Sequence, residues 1–480
     1  MSTDDPDLVR LARAALTGPQ PVPTGRSGGR LTPLTVDGTA VLARPDPGDP
    51  TRLADLVVVG PGRWVSGPDN AVFGRWDGLV GWLPDRRELR RIPGHGGEII
   101  PGRLADHVRA LRRSVRSGRP APVQLDLDVS MACPSACSFC FSADYRSGRR
   151  DGRLMTAEAI DRTIRSAAGL GVSLVRFDGG GDPLTSPYLA GALDLCRRLG
   201  LLTAVLTAGD LLTAELGPTL VAARTYVRVS LNAGTDATRT LLHRTSSPRT
   251  RLSAVLDRIG RLDRLRRDEY GASAPEVMPL GATCMVVPEN VGETVAVAAA
   301  AKASGIDHVS FRVVLGERHA VRFTAAETAE FVRQRDEVRR SLADDGFQAF
   351  FPTRDLTDHG YLPARHFDRC RASTHRALVE VGPDPSTPAL VPCGRYRGHG
   401  YLHGQEPERT VFGLLPTGTD LRDVWMSAHM TRTVGRFPSA CGDCIDRSAN
   451  LMLAGIAEAL ADDLDAEFFR YAAGAGVPAP

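Results

Sequence analysis

Between residues 122 and 320, short apolar runs alternate with segments that repeat apolar residues at helical spacing. Apolar runs bounded by glycine, proline or aspartate predict buried strands, and the 3.6-residue period predicts helices. The predicted strands are 123–129, 173–178, 201–207, 226–232, 278–287 and 307–315. The predicted helices are about 156–168, 187–199, 211–223, 249–267 and 291–303. Strands that alternate with helices predict an α/β core with a parallel sheet, which carries its chemistry at the carboxyl ends of the strands.

The pattern changes on both sides of this core, which we place at residues 121–320. Strand-like runs between Leu31 and about Ile92, followed by an amphipathic helix at 103–117, predict a β-rich module with a linker helix. The role of that module is not evident from its sequence. The remaining boundaries predict an N-terminal module at 1–120, a bridging segment at 321–368, a small cysteine-bearing domain at 369–462 and a tail at 463–480.

Composition narrows the class of protein. The chain is 42% hydrophobic and 24% charged with a net charge of +3, so no global basicity points to nucleic acid. No apolar stretch of membrane-spanning length and no charged-then-apolar leader is visible, and we expect a cytoplasmic protein without a membrane partner. In such a chain, nine cysteines favour metal binding or catalysis over disulfides.

Three of these cysteines follow the first predicted strand of the core. Cys133, Cys137 and Cys140 form the pattern C-x3-C-x2-C. A cubane iron–sulfur cluster normally takes four cysteines, so three would leave one iron open to a small molecule. Three cysteines within eight residues also suit zinc, and the loop alone leaves a zinc knuckle or a redox loop as alternatives.

The loop resembles that of the radical S-adenosylmethionine (AdoMet) superfamily, including the aromatic Phe139 before the third cysteine. The resemblance implies a partial (β/α)6 TIM-like barrel and a [4Fe-4S] cluster whose fourth iron binds AdoMet. It implies that one electron splits AdoMet into methionine and a 5′-deoxyadenosyl radical. A flavodoxin or ferredoxin is the electron donor that the family leads us to expect.

Two further motifs at the ends of predicted strands resemble AdoMet contacts of the family. The run Gly179, Gly180, Gly181 and Asp182 follows the second strand. It looks like the family's GGE motif, with aspartate where glutamate is usual, and a run of glycines lets backbone approach a ligand closely.

The fourth predicted strand ends with Ser230 and Asn232, where the resemblance places contacts to ribose. Arg244 matches a position that clamps the AdoMet carboxylate in some relatives, a task suited to guanidinium. The alternative for Arg244 is an ordinary surface helix residue. Thr207, after the third strand, could also face the site.

A second group of cysteines lies near the C-terminus: Cys370, Cys393, Cys441 and Cys444. Cys393 follows an apparent hairpin with a turn-forming GPDPS tip, and the last two form a CxxC pair. A zinc site is the simple alternative. The order resembles the twitch domain of radical AdoMet enzymes, a reduced form of the SPASM domain, and implies one fully ligated auxiliary [4Fe-4S] cluster.

The other two cysteines are interpreted as structural residues in the first place. Cys196 lies in a helix that faces away from the expected active face and is interpreted as structural. Cys284, in the fifth strand, is interpreted as a core residue, with hydrogen-atom donation to a substrate radical as the alternative.

The resemblance to twitch-type members of the superfamily implies a radical AdoMet oxidoreductase that oxidises a small polyol or aminoglycoside-type sugar in antibiotic metabolism. Two alternatives within the superfamily are a peptide maturase that modifies a ribosomal peptide, and a sugar epimerase or dehydratase. A zinc-dependent binding protein is the alternative outside it. Candidate bases, which we do not rank, are Glu289, Asp355, Asp358 and His359.

Overall fold

The computed structural model describes residues 122–140, 142, 153–245, 247–314, 321–344, 346–351, 356, 370, 372–397, 411–425 and 427–436, with short strands between residues 32 and 91. The chain forms two compact units. The first unit comprises Met1–Val123, Ala364–His375 and Phe437–Pro480, and the second comprises Gln124–Pro363 and Arg376–Arg436.

The described part of the first unit consists of antiparallel strands and one short helix, Ala372–His375. Its strands are β1 (Thr32–Val36), β2 (Thr39–Asp46), β3 (Asp49–Val59), β4 (Val65–Ser66), β5 (Ala71–Val72), β6 (Val80–Leu83) and β7 (Glu88–Arg91). They form a three-stranded sheet in the order β1-β2-β3 and two hairpins, β4-β5 and β6-β7. The strand-like pattern of this region therefore predicts its described structure correctly.

The second unit is organised around a sheet of ten strands in the order β14-β13-β12-β11-β10-β9-β8-β15-β16-β17. Its strands are β8 (Gln124–Leu127), β9 (Leu174–Phe177), β10 (Leu202–Thr207), β11 (Tyr226–Ser230), β12 (Leu280–Val286), β13 (His308–Val313), β14 (Gln348–Phe350), β15 (Arg376–Asp384), β16 (Thr387–Val391) and β17 (Gly413–Leu414). Neighbours from β14 to β15 are parallel, and β15-β16-β17 are antiparallel.

Helices connect the parallel strands. They are α1 (Ala157–Gly169), α2 (Leu189–Arg198), α3 (Gly217–Ala222), α4 (Asp236–His243), α5 (Leu252–Tyr270), α6 (Ala274–Val277), α7 (Thr294–Ala303) and α8 (Ala325–Ser341), followed by α9 (Leu421–Val424) and α10 (Ala428–Arg436). Thr156 caps α1 by accepting a hydrogen bond from Ala159 N, and Thr324 and Glu327 form a capping box at α8. Within the described residues, no helix combines the length and apolar character that crossing a membrane requires.

All six predicted core strands are present, and the parallel α/β sheet of the expected partial-barrel class is confirmed. The structure adds three features. β14, in the predicted bridging segment, pairs with β13 as a further parallel strand. α4 lies between β11 and α5. The predicted hairpin of the cysteine-bearing segment, β15 and β16, lies in the core sheet, because β15 pairs in parallel with β8.

Strand β8 shows how this sheet differs from an ordinary parallel sheet. The segment is completely buried, and its apolar residues Leu125, Leu127 and Val129 alternate with Gln124, Asp126 and Asp128. Because alternate side chains of a strand point to opposite faces, one face is apolar and the other is polar and charged. Strands buried on both faces are usually apolar throughout. The buried charges therefore point to a functional role for the polar face of this strand.

Candidate active site

The cysteine loop, residues 130–140, leaves the carboxyl end of β8 and is held at several points by backbone hydrogen bonds. Met131 N donates to Arg153 O at 2.8 Å, near the start of the loop. Further along, Ala136 N donates to His243 O at 2.9 Å and Ser138 N donates to Leu242 O at 3.1 Å. The C-terminal end of α4 therefore supports the part of the loop that carries the second and third cysteines.

The thiols of Cys133, Cys137 and Cys140 are all half-buried on this loop. Among the residues that the structure describes, no three cysteine, histidine or carboxylate side chains lie close enough together to hold a metal ion. The aromatic ring of Phe139 packs against an apolar cluster of Leu242, Val287 and Val314. The loop thus carries the predicted donor set, and its half-buried aromatic residue packs against this cluster.

The glycine loop, residues 179–182, lies directly against the cysteine loop. Gly181 N donates to Ser130 O at 2.9 Å, and Asp182 N donates to Ala132 O at 2.7 Å. A Cβ at residue 181 would lie 2.1 Å from Ala132 O, so only glycine fits there. Gly179 has a φ of +136°, and a Cβ there would lie 2.7 Å from Asp128 Cγ. The glycines therefore allow close contact between the two loops, a use that the sequence alone does not distinguish from contact with a ligand.

Asp182, the residue that departs from the family motif, is buried and has internal partners. Its carboxylate accepts hydrogen bonds from Leu184 N at 2.9 Å, from Ala208 N at 2.8 Å and from Thr207 Oγ1 at 2.8 and 2.9 Å. Burial raises the pKa of this carboxyl, while the backbone donors oppose the rise. The Asp182 side chain thus joins the glycine loop to the end of β10, and Thr207 belongs to that junction.

The residues predicted to contact ribose lie at the carboxyl end of β11. Ser230 is half-buried there. Asn232 is 1% exposed with a φ of 58°, and its Oδ1 accepts a hydrogen bond from Met285 N at 2.8 Å. Its Nδ2 lies 3.2 Å from His243 Nε2. The Asn232 amide therefore has internal partners in this structure, and contact of either residue with AdoMet stays a prediction.

Arg244 follows the last residue of α4 and has a left-handed backbone with φ of 51°. Its side chain is exposed. The structure thus places Arg244 on the surface at the C-terminal end of the helix that supports the cysteine loop. Its predicted contact with the AdoMet carboxylate is not tested by this placement.

A buried polar network that the sequence analysis missed lies behind the cysteine loop. Its centre is Arg239, which is 0% exposed and donates to the backbone oxygens of Thr250, Ser230, Leu231 and Ala208 at 2.7 to 3.1 Å. Arg239 Nη2 also donates to Asp210 Oδ1 at 2.8 Å. Asp210 Oδ2 accepts a hydrogen bond of 3.0 Å from Ser135 Oγ, which lies between the first two cysteines. The network connects the cysteine loop to the ends of β10 and β11.

His243 completes this network. Its Nδ1 lies 3.4 Å from Ser135 Oγ, and its Nε2 lies 3.4 Å from Arg239 Nη1. Burial lowers the pKa of His243 well below its ordinary value, and the nearby Arg239 charge adds to this shift. The imidazole is therefore neutral near pH 7. The signal in the sequence is the i, i+4 spacing of Arg239 and His243, which places both on one face of α4.

A second buried group, the charge chain, occupies the polar face of the sheet. It alternates three arginines with three aspartates in the order Arg376, Asp126, Arg176, Asp178, Arg397 and Asp128. From one end to the other, the five closest nitrogen–oxygen distances are 3.3, 2.6, 3.4, 3.5 and 2.7 Å. Each charge therefore has an opposite charge beside it, as buried ions require.

The aspartates of this charge chain differ in their surroundings. Burial acts to raise the pKa of Asp178, but Arg397, Arg176 and Arg228 outweigh it and hold the pKa below its ordinary value. Burial raises the pKa of Asp128 to about 7, against the opposing effect of Arg397. The Asp178 side chain is 24% exposed, whereas those of Asp126 and Asp128 are 0% and 1% exposed. Asp178 is therefore the carboxylate of this group that remains partly open to solvent.

The two remaining cysteines of the core are buried. Cys284 is 2% exposed in β12, its Sγ lies 3.8 Å from Asn290 Nδ2, and burial raises its pKa. Cys196 is 0% exposed in α2, and burial raises its pKa to about 12. These surroundings favour protonated thiols packed in the core.

Glu289, one of the candidate bases, is exposed after β12.

Two of the four cysteines predicted for an auxiliary cluster are described. Cys370 is half-buried in the first unit, and Cys393 is half-buried after β16 in the second unit. The other predicted residues Cys441, Cys444, Asp355, Asp358 and His359 lie outside the described residues.

The fold and the cysteine loop agree with a match to a known protein family. Residues 127–259 match the model of the Radical SAM superfamily. This part of the chain is therefore a radical SAM domain, a class of domain that uses a [4Fe-4S] cluster and AdoMet. The donor chemistry fits these cofactors, because three thiols lie on one loop and a glycine loop that admits no Cβ at residue 181 lies beside it. The three thiols would have to move closer together to ligate one cluster.

Curated proteins similar to the chain include PqqA peptide cyclases. That of Methylorubrum populi is 37% identical over 90 residues, which are 19% of this chain and 23% of the relative. That of Streptomyces rochei is 35% identical over 95 residues, 20% of this chain and 25% of the relative. The similarity thus spans about a quarter of the length of these relatives.

Solved structures that align with this chain include SuiB of Streptococcus suis bound to S-adenosylmethionine, at a TM-score of 0.49 and 16% identity. The alignment covers 68% of this chain and 71% of SuiB. anSMEcpe with bound AdoMet and a peptide aligns at a TM-score of 0.46 and 12% identity, over 68% of this chain and 88% of that structure.

Proposed function

We propose that this protein is a radical SAM enzyme that modifies a peptide. The observation that carries the proposal is its similarity to curated proteins named PqqA peptide cyclase, alongside the radical SAM domain at residues 127–259. This supports the peptide maturase, the alternative in the sequence analysis, better than oxidation of a sugar. The expected source of electrons remains a flavodoxin or ferredoxin.

The residues of the site have separable tasks. Cys133, Cys137 and Cys140 would ligate the cluster that, with AdoMet bound, supplies a 5′-deoxyadenosyl radical. Phe139, which packs against Leu242, Val287 and Val314, would help to hold the neighbouring third cysteine in place. The glycine loop, with Gly180 at its centre, would present its backbone to AdoMet, and Asp182 holds that loop to β10. Ser230, Asn232 and Arg244 remain the proposed contacts to the ribose and the carboxylate.

We assign Cys370, Cys393, Cys441 and Cys444 to a second [4Fe-4S] cluster, on the resemblance of their order to a twitch domain. An electron acceptor beside the substrate favours net oxidation of the peptide. Formation of a crosslink removes two hydrogen atoms from the peptide. The radical supplied at Cys133, Cys137 and Cys140 would take one of them as a hydrogen atom. The other would leave as a proton, and a second cluster held by Cys370, Cys393, Cys441 and Cys444 would accept its electron.

The test is anaerobic turnover of the reconstituted protein with dithionite, AdoMet and synthetic peptides encoded by short reading frames beside its gene. The expected result is 5′-deoxyadenosine together with a peptide that has lost two hydrogen atoms, as seen by mass spectrometry. The Cys133→Ala/Cys137→Ala/Cys140→Ala variant should produce neither. Oxidation of an aminocyclitol under the same conditions, with every peptide unchanged, would contradict the proposal and support sugar oxidation.

A further inference from the structure

Arg397 connects the segment after Cys393 to the two strands that lead into the cysteine and glycine loops. Tyr396 N donates to Cys393 O at 2.9 Å, and Arg397 N donates to Gly394 O at 3.4 Å, so a tight turn joins Cys393 to Arg397. The Arg397 side chain is 5% exposed. Its position is therefore fixed both by the turn and by the carboxylates around it.

The guanidinium of Arg397 contacts two carboxylates at once. Nη2 donates to Asp128 Oδ1 at 3.0 Å, and Nε lies 2.7 Å from Asp128 Oδ2. Nη2 also lies 3.5 Å from Asp178 Oδ2. A planar guanidinium can bind one carboxylate through two nitrogens while contacting a second, whereas the point charge of lysine cannot reproduce this geometry.

These two carboxylates border the loops that are assigned to the cluster and AdoMet. Asp178 directly precedes Gly179. A Cβ at Gly179 would lie 2.7 Å from Asp128 Cγ, so the Asp128 side chain packs against the start of the glycine loop. Asp128 also lies two residues before Ser130, where the cysteine loop begins. A shift of the Asp128 carboxylate would therefore change the spacing between the two loops.

We propose that Arg397 is a positioning residue that sets the spacing between the cysteine loop and the glycine loop by holding Asp128 and Asp178. Because Arg397 lies in the turn that starts at Cys393, the same contact links the AdoMet site to the segment assigned to the second cluster. This link rests on the proposed function, whereas the effect on AdoMet does not require a peptide substrate.

The charge balance determines which variants can be tested. Removal of the Arg397 charge alone leaves a buried carboxylate without its compensating partner, which is strongly destabilising. Arg397→Lys keeps the charge but loses the planar group that reaches Asp128 and Asp178 at once. The double variant Arg397→Met/Asp128→Asn removes one charge of each sign. Arg165→Met, which removes an exposed arginine paired with Asp161 on α1, is the matched control.

The experiment measures the AdoMet dissociation constant of each reconstituted protein through the AdoMet-dependent change in the EPR spectrum of the reduced cluster. Iron content and 5′-deoxyadenosine formation without peptide are measured in parallel. Arg397→Lys and the double variant should keep the iron content of the wild type. Their dissociation constants should rise about tenfold, a loss of about 1.4 kcal/mol in binding free energy, because Arg397 no longer sets the spacing of the loops that would hold AdoMet. Arg165→Met should match the wild type in all three measurements.

Wild-type affinity in both Arg397→Lys and the double variant would overturn the proposal. Loss of iron from both would also overturn it, because Arg397 would then be needed for folding or cluster retention and not for placing AdoMet. The proposed function fails separately, if the wild type modifies no peptide, since AdoMet affinity is measured without one.

Discussion

Gly181 and Ala132 approach so closely that a Cβ on residue 181 would lie 2.1 Å from the Ala132 carbonyl oxygen. The two residues belong to loops that follow different strands, and hydrogen bonds from Gly181 N and Asp182 N to the cysteine loop hold them together. The carboxyl ends of β8 and β9 therefore form one continuous surface, on which a cluster and AdoMet could be placed side by side.

This contact predicts that Gly181→Ala separates the two loops. Because a real Cβ never approaches a backbone oxygen this closely, the backbone of one loop must move. We expect formation of 5′-deoxyadenosine to fall by at least about tenfold, which corresponds to a barrier increase of about 1.4 kcal/mol. Gly191→Ala on α2 is the control, since no atom lies within 4 Å of the added Cβ there. Equal rates for the two variants would show that this approach is not needed for AdoMet cleavage.

The hydrogen bond from Ser135 to Asp210 predicts a specific loss of cluster retention. Ser135→Ala removes a donor from a buried carboxylate, and a hydrogen bond to a charged group contributes about 1.5 to 3 kcal/mol. We expect faster loss of iron from the reconstituted variant in the presence of a chelator. Ser138→Ala changes an exposed residue of the same loop and should lose iron at the wild-type rate. Identical rates for both variants and the wild type would mean that Asp210 does not stabilise the loaded loop.

The assignment of two clusters predicts a simple iron count. Wild-type protein should hold about eight irons, and the Cys133→Ala/Cys137→Ala/Cys140→Ala variant about four, because each [4Fe-4S] cluster contributes four. Cys393→Ala should also hold about four irons, but should still cleave AdoMet without peptide. Iron and zinc analysis with a 5′-deoxyadenosine assay checks both variants. About four irons plus zinc in the wild type would remove the second cluster as electron acceptor.

His308 predicts a dependence of stability on pH. Burial, with the nearby charges of Arg228 and Arg266, lowers its pKa from 6.5 to about 3, so it stays neutral in the folded protein. Below pH 6.5 the unfolded chain binds a proton that the folded chain does not, so stability falls by about 1.4 kcal/mol for each pH unit.

The variant His308→Gln removes this titration and should lose less stability between pH 7 and pH 5. Its amide oxygen can accept the hydrogen bond that joins Tyr226 Oη and His308 Nε2 at 3.0 Å. Thermal unfolding at both pH values, with His429→Gln as a comparison at a half-buried histidine, measures the difference. Equal losses of stability in the wild type and in His308→Gln would contradict the assignment of a neutral His308 in the folded protein.

The sequence predicts the parallel core because each strand is a local apolar run between turn residues. It does not predict β14, whose three residues are too few for a periodic pattern. It also does not predict that β15 pairs with β8, because strand pairing depends on contacts between distant residues. The same limit applies to the hairpin of β15 and β16, whose place in the core sheet is not evident from its own sequence.

The residues of the candidate site also differ in whether a local sequence signal predicts them. Cysteine spacing and the glycine run are local signals, and both appear where the sequence places them, at the carboxyl ends of β8 and β9. The network of Ser135, Asp210 and Arg239 is not local, since its members come from three separate segments. Arginine is common in this chain. The i, i+4 spacing with His243 is a local signal for Arg239, whereas nothing in the sequence distinguishes Arg397 from the exposed arginines.

Strand β8 lies between β9 and β15, and β15 follows it by about 250 residues of sequence. At a synthesis rate of about 5 to 20 residues per second, roughly 10 to 50 seconds separate the appearance of the two strands. During that time β8 has an unpaired edge, a form of strand that is prone to join other chains. The strand that leads to the cysteines is thus enclosed only after about 250 further residues have been synthesised.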